Sequence, residues 1–158
     1  MTRRDPINPT DDEARALARR LIDEASFGAL AVRLPDGGAP YVARVGVAPI
    51  GGAPAILVSD LALHSRALAA DPACALMLGE PGDRGDPLTH PRITLVGRAE
   101  ALDKAAHRDA WLAARPKSAL WFEFADFRLY RIAPGEAHLN GGFGKAYRLT
   151  PADLGLDG

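Results

Sequence analysis

Short apolar stretches, several of them alternating with polar positions, recur along this chain in the pattern of half-buried β-strands. Turn sequences such as Pro35-Asp36-Gly37-Gly38 and Gly51-Gly52-Ala53-Pro54 separate the first three. The predicted strands cover residues 27–34, 40–49, 55–58, 73–78, 92–102 and 127–133, with a further strand from 135 to 139. This pattern predicts a mainly β protein with flanking helices, built as an antiparallel split β-barrel of six to seven strands.

Three helices are predicted around these strands. The first begins at Thr10, which forms a capping box with Glu13 and precedes apolar residues at helical spacing. A short helix after the third strand ends near Asp71-Pro72. Another, after the fifth strand, is capped by Asp103 and turns Ala106, Ala110 and Trp111 inward. A doubly wound parallel sheet fits less well, because it needs helices between nearly all strands.

Length and composition limit the class of protein. With 158 residues the chain is expected to be one domain, with residues 1–9 and 151–158 as loose ends. The net charge of −1 argues against a nucleic-acid-binding surface. Cys74 is the only cysteine, which excludes an internal disulfide, and no histidine spacing suggests a metal site. We expect a cytoplasmic protein that does not bind membranes, since neither a secretory signal nor a long apolar run is present.

One predicted strand-to-helix corner gathers polar groups, between Ser59 and Leu68. Its polar side chains are Ser59, Asp60, His64, Ser65 and Arg66. Backbone N–H groups at a helix start favour anions, and hydroxyl and guanidinium groups add donors. In the alternative interpretation, Ser59 or Asp60 only caps the helix and Arg66 faces solvent. Arg44 favours the anion site, because a guanidinium in an otherwise apolar strand needs a partner. Alternatively, Arg44 lies at a strand edge or forms a salt bridge in a dimer.

Several short motifs follow one another in a defined order. They are Arg44-Val45-Gly46-Val47, the strand to Ser59, Ser65-Arg66 before a helix, and Asp71-Pro72 before an apolar strand. This order resembles the FMN-binding split-barrel superfamily typified by pyridoxamine 5′-phosphate oxidase. The segments Asp126–Ile132 and Gly141–Ala146 are similar to the haem-utilisation branch of that superfamily. The resemblance extends from about Ala14 to Leu149.

The resemblance implies a homodimer with FMN bound in clefts between the subunits, and a flavin-dependent oxidoreductase acting on an unidentified small molecule. It assigns no catalytic residue. The implied cofactor contacts are Arg44, Ser65 and Arg66 at the phosphate, neutral His64 beside them, Ser59 and Asp60 along the ribityl chain or isoalloxazine, and Lys145 from the partner subunit.

Departures from the superfamily pattern keep two alternatives open. The chain lacks the Arg-x-His-x-Arg motif of pyridoxamine phosphate oxidases, so vitamin B6 oxidation is not expected. The Gly141–Lys145 segment favours a haem-binding or haem-degrading protein on the same fold, with His138 or His90 as candidate ligands. Alternatively, either histidine is a solvent-exposed residue and not a ligand. The other alternative is a cofactor-free barrel that serves as a dimeric binding scaffold.

Overall fold

The computed structural model describes residues 5–156 and shows eight strands and three α-helices. The strands are β1 (Ile7–Asn8), β2 (Phe27–Arg33), β3 (Pro40–Ile50), β4 (Ala53–Ser59), β5 (Ala73–Leu78), β6 (Arg92–Ala101), β7 (Phe127–Asn140) and β8 (Ala146–Leu149). The helices are α1 (Asp12–Glu24), α2 (Leu63–Ala70) and α3 (Arg108–Ala114). Single 3-10 turns cover Pro87–Thr89, Pro116–Leu120 and Ala152–Leu154. Within the described part of the chain, no helix is long and apolar enough to cross a membrane.

Six of the strands close into an antiparallel barrel, which confirms the predicted fold class. The order around the barrel is β7-β4-β3-β2-β5-β6, and β6 returns to pair with β7. β8 extends the sheet beyond the second half of β7, and β1 pairs with β8 in parallel. The predicted meander of β2, β3 and β4 is confirmed by their antiparallel registers.

β7 is one strand of 14 residues where the sequence predicts two. Its first half pairs with β4, its second half pairs with β8, and β6 runs along its other edge. The predicted break at Gly135 is wrong. The β6–β7 register moves from Val96 opposite Glu136 to Gly97 opposite Pro134, so Gly135 is the extra residue of a β-bulge.

Two groups of apolar side chains form the core. The barrel interior and the inner faces of α1 and α2 supply the larger group; its strand residues include Leu30, Val32, Val45, Val47, Ile56, Val58, Leu76, Leu78, Ile93, Leu95 and Ile132. The smaller group joins Trp111 of α3 and Phe122 to the outer side of β3, β4 and β7. α3 and the turn that follows it therefore cover one part of the outer barrel surface.

The structure corrects two predicted helix starts and the predicted positions of two alanines. Asp11, not Thr10, caps α1, because its Oδ1 accepts a hydrogen bond from the N–H of Ala14 at 2.8 Å. Asp103 caps only a turn, and α3 begins at Arg108. The predicted inward positions of Ala106 and Ala110 are wrong, since both are exposed and only Trp111 is buried.

The chain ends are held more firmly than expected over the described residues. Leu154 is buried, and its carbonyl accepts a hydrogen bond of 2.7 Å from Nη1 of Arg19. Residues 7–8 belong to the sheet. Residues 1–4 and 157–158, the outer parts of the predicted loose ends, lie outside the described residues.

Candidate cofactor-binding site

The corner between β4 and α2 is held against the start of β7. The Ser59 hydroxyl donates to Oδ2 of Asp126 at 3.0 Å, and the N–H of Asp60 donates to the Asp126 carbonyl at 2.6 Å. Nε of Arg128 donates to Oδ1 of Asp60, also at 2.6 Å. The side chains of Ser59 and Asp60 thus fix the corner. Sequence reasoning missed Asp126 and Arg128 as their partners, although it singled out the segment that contains them.

α2 begins without a side-chain cap. Its N-cap is Ala62, so neither Ser59 nor Asp60 performs the capping role that was the alternative interpretation. Ser65 lies in the first turn and is only 4% exposed, and its Oγ has no hydrogen-bond partner among the described residues. A buried hydroxyl without a partner costs roughly 1–3 kcal/mol. This helix start therefore keeps donors for a ligand oxygen, while Arg66 lies exposed beside it.

His64 is partly buried at the same helix start. Burial lowers the pKa of its imidazole below the ordinary value of 6.5. The ring is therefore neutral at physiological pH, which is the form that donates one hydrogen bond or ligates a metal ion. Leu61 and Leu63 flank it as exposed apolar residues, with Leu61 75% exposed. An apolar surface and a neutral imidazole thus meet at the corner.

Arg44 lies on the outer face of β3, at the end nearest this corner. Arg44 and Ser59 each lie two residues beyond Gly46–Leu57, the last pair of the β3–β4 ladder. The Arg44 guanidinium carbon lies 5.6 Å from the centre of the Phe27 ring. Arg44 also lines a surface groove of about 400 Å³ with Phe27, Met77 and Glu80. The structure brings Arg44 to the same end of the sheet as Ser59.

Lys145 lies apart from these residues within one chain. It follows β7, whereas the corner contacts the start of β7. Gly142 and Gly144 adopt φ values of 122° and 73°, and the Lys145 N–H donates to the Gly142 carbonyl at 3.1 Å. The glycines thus shape a tight loop. That loop borders a second open cleft of about 540 Å³, which is also lined by Phe143 and Arg92.

The two histidines considered as haem ligands differ in their surroundings. Nδ1 of His90 accepts from the N–H of Gly82 at 2.6 Å, and its Nε2 lies 2.6 Å from the carbonyl of Arg84. Both ring nitrogens of His90 therefore hold the loop between β5 and β6. Nε2 of His138 lies 3.2 Å from Oε2 of Glu136, on the surface of β7. Among residues 5–156, no three His, Cys, Asp or Glu side chains are grouped as a metal site.

Comparison with known protein families identifies the barrel. The family model of pyridoxamine 5′-phosphate oxidase matches residues 14–141, most of the chain. The chain belongs to this family. The resemblance inferred from the motif order is thereby confirmed.

Proteins that resemble this chain include two that are named for haem. A solved structure of a haem-binding protein from Mycobacterium smegmatis has 30% identity and a TM-score of 0.83, covering 94% of this chain and 61% of that one. The chloroplastic non-canonical haem oxygenase HOZ of Arabidopsis thaliana is 45% identical over 87 residues. This match covers 52% of this chain and 26% of the relative, so the chain spans about a quarter of that protein.

A third similarity concerns the fold alone. The crystal structure of Campylobacter jejuni ChuZ has 15% identity and a TM-score of 0.82, covering 92% of this chain and 63% of that one. The same barrel of the pyridoxamine 5′-phosphate oxidase family therefore persists where little sequence identity remains.

Proposed function

We propose that this protein binds haem and acts as a haem-binding or haem-degrading member of the pyridoxamine 5′-phosphate oxidase family. The observation that carries the proposal is the partly buried imidazole of His64 beside exposed Leu61 and Leu63. Two relatives named for haem, from Mycobacterium smegmatis and Arabidopsis thaliana, support it.

The residues around His64 match the chemistry of haem. Haem offers a flat apolar ring, two carboxylates and an iron that accepts an imidazole nitrogen. His64 would ligate the iron, the two leucines would cover the ring, and Arg66 would pair with a carboxylate. When bound, haem supplies an iron centre able to react with dioxygen. The chain's own part is to bind and orient the ring and to shield it from water.

The experiment that tests this function is a titration of the purified protein with haemin, followed by absorbance. We expect a sharp Soret band for wild type and for His138→Ala, and loss of the ligand-bound spectrum in His64→Ala. His138→Ala is the matched control, because His138 lies on the barrel surface beside Glu136. His90→Ala is a poorer control, since His90 holds a loop. Identical spectra for wild type and His64→Ala would contradict the assignment.

FMN is the second candidate, and it is favoured by Ser65. Its buried, unpartnered Oγ and the uncapped start of α2 suit a phosphate, which brings several acceptor oxygens. The function would then be flavin redox chemistry on a small molecule, with Arg44 and Arg66 as phosphate contacts. The flavin would supply the electron transfer, and the protein would bind and orient it.

A matched pair of variants tests the FMN candidate. Arg66→Ala is expected to weaken FMN binding by about 1.5–3 kcal/mol, the usual contribution of a hydrogen bond to a charged group. Arg20→Ala, an exposed residue of α1, should leave the affinity unchanged. A visible spectrum of freshly purified protein distinguishes flavin from haem. If neither ligand binds, the cofactor-free scaffold becomes the preferred function.

We further propose that a second copy of the chain covers the outer face of β2, β3, β5 and β6. One row of outward residues there is wholly apolar: Val42, Ala31, Ala75 and Val96 lie side by side across the four strands. Val42 is 63% exposed. Such a homodimer would bring Lys145 of the partner subunit near a cofactor. Val42→Asp should convert the dimer to a monomer in size-exclusion chromatography with light scattering, whereas Arg20→Asp, at an exposed position of α1, should not.

A further inference from the structure

A long loop joins β5 to β6, and its two ends nearly touch. At Gly79, whose φ is 109°, an added Cβ would lie 2.5 Å from the carbonyl oxygen of Pro91. Residues 81–89 between these ends are all exposed. A surface loop whose ends lie this close together is an Ω-loop, which depends on its own side chains for its shape.

The second half of the β5–β6 loop is fastened to itself and to β6. Oδ1 of Asp86 accepts a hydrogen bond of 2.9 Å from the N–H of Leu88, and Oγ1 of Thr89 donates to the Asp86 carbonyl at 2.7 Å. Nη1 of Arg92, the first residue of β6, donates to the Leu88 carbonyl at 2.9 Å. The ring of His90 takes no part in these contacts.

The first half of the loop is held by the His90 ring. Within the described part of the chain, the hydrogen bonds of residues 80–85 are two: the Gly82 N–H donates to Nδ1 of His90, and Nε2 donates to the Arg84 carbonyl, both at 2.6 Å. Because Nδ1 accepts, the neutral ring carries its proton on Nε2. An added Cβ at Gly82 would lie 3.2 Å from Cε1 of His90, so the ring packs directly against this backbone.

A proton on Nδ1 would remove one of these two contacts. The doubly protonated ring has a donor at each nitrogen, so its Nδ1–H would oppose the Gly82 N–H, whereas Nε2 would keep its bond to Arg84. Imidazole gains this proton between about pH 5 and pH 8. The contact between His90 and Gly82 is therefore one that mild acid can break.

The charged groups around the ring do not pair with it. The Lys145 loop packs against Thr89, since an added Cβ at Gly142 would lie 3.2 Å from the Thr89 carbonyl oxygen. Among residues 5–156, no ion pair is formed with the His90 ring. The charged groups of the loop and of the segments beside it are Glu80, Asp83, Arg84, Asp86, Arg92, Lys145 and Asp5. Two backbone groups alone thus hold the ring nitrogens.

We propose that His90 is a proton-sensitive latch for residues 80–82. Glu80 and Pro81 line the groove that Arg44 also lines, and the neutral ring holds them there through Gly82. When Nδ1 takes up a proton, Gly82 is released and the groove widens. The latch acts at this groove whichever ligand the protein binds.

Hydrogen exchange followed by mass spectrometry tests the latch, because amide exchange reports local opening. After each rate is divided by the intrinsic rate at that pH, we expect the wild-type amides of residues 80–85 to exchange about fivefold faster, or more, at pH 5.5 than at pH 7.5. His90→Ala should exchange fast at both pH values. His90→Asn should exchange slowly at both, because its Oδ1 accepts from Gly82 and does not titrate. His138→Ala is the matched control and should keep the wild-type dependence on pH.

Met77 reports on the groove, because it belongs to the groove lining. Its oxidation to the sulfoxide by hydrogen peroxide at pH 7.5 should be about twofold faster, or more, in His90→Ala than in wild type. His138→Ala should match wild type. Peptide mass spectrometry measures the sulfoxide, and equal rates in wild type and His90→Ala would contradict the widening of the groove.

Three exchange results would overturn the latch. The first is equal corrected exchange of residues 80–85 in wild type at the two pH values, and the second is a dependence on pH that persists in His90→Asn. The third is an equal acceleration of the β4 amides in mild acid, which would show that the whole protein unfolds.

Discussion

Burial favours the neutral form of two ionisable side chains, the basic imidazole of His64 and the acidic thiol of Cys74. It lowers the pKa of the His64 imidazole, and it raises the pKa of the Cys74 thiol to about 11, with the Asp71 carboxylate adding to the effect. Both shifts favour the neutral form, because the charged form loses hydration. His64 is thereby suited to bind a ligand, and Cys74 is suited only to packing.

Cys74 should be unreactive while the protein is folded. With a thiol pKa of about 11, very little thiolate exists at pH 8, and thiolate is the reactive form. Labelling by Ellman's reagent at pH 8 is expected to be slow in buffer and fast in denaturant. Rapid labelling of the native protein would show that this strand is more accessible than its buried position indicates.

His64 should make the protein less stable in mild acid. Its folded-state pKa is below 6.5, and the unfolded chain keeps the ordinary value, so between those two pH values the unfolded state binds more protons. The free energy of unfolding therefore falls as the pH decreases through this window. Urea unfolding at pH 7 and pH 5 should show a smaller loss for His64→Gln than for wild type. Equal losses would contradict this prediction.

The α3 segment shows how an element outside the barrel depends on a few buried polar contacts. Trp111 is buried against β3 and β4, and its indole N–H reaches Oγ of Ser118 in the next turn. The same hydroxyl holds the Arg115 carbonyl. Ser118 therefore links the packing of Trp111 to the position of Arg115.

Ser118→Ala should destabilise the protein by about 1–3 kcal/mol, because a buried indole N–H loses its acceptor. Lys117→Ala, on the exposed side of the same turn, is the control and should change stability by less than about 0.5 kcal/mol. Guanidinium unfolding measures both. If the two variants are equally stable, another acceptor satisfies Trp111.

Sequence pattern predicted β2 to β6 well, divided the long β7 into two strands, and did not predict the short strands β1 and β8. β2 to β6 were predicted to within two residues at each end, since their apolar positions and turn signals are local. β1 and β8 have two and four residues, too few to show a period, and they exist because the end of β7 offers an open edge. Asp126 and Arg128 could not be assigned to the corner, because only the pairing of β4 with β7 brings them there.

The β6–β7 pair that closes the barrel contains the bulge at Gly135. At Gly97 an added Cβ would overlap the Ala133 carbonyl oxygen and lie 2.8 Å from Cα of Pro134. At Gly135, on the opposite strand, the nearest atom to an added Cβ would be 3.8 Å away. The two strands approach closely on the Gly97 side only.

Gly97→Ala should therefore destabilise the protein by about 3 kcal/mol or more, because neither backbone can yield without breaking the ladder. Gly135→Ala is the matched control and should be close to neutral. Thermal unfolding and soluble yield compare the two variants. Similar melting temperatures would show that the bulge relaxes to accept a methyl group.

The late position of β7 in the chain has a consequence for synthesis on the ribosome. β4 and β6 each lack one neighbour until β7 is made, because both pair with it. A nascent chain that stops before Phe127 thus exposes two open sheet edges, and open edges invite pairing between molecules. The barrel can close only after translation has passed Asn140, so both edges stay open from the completion of β6 until β7 is made.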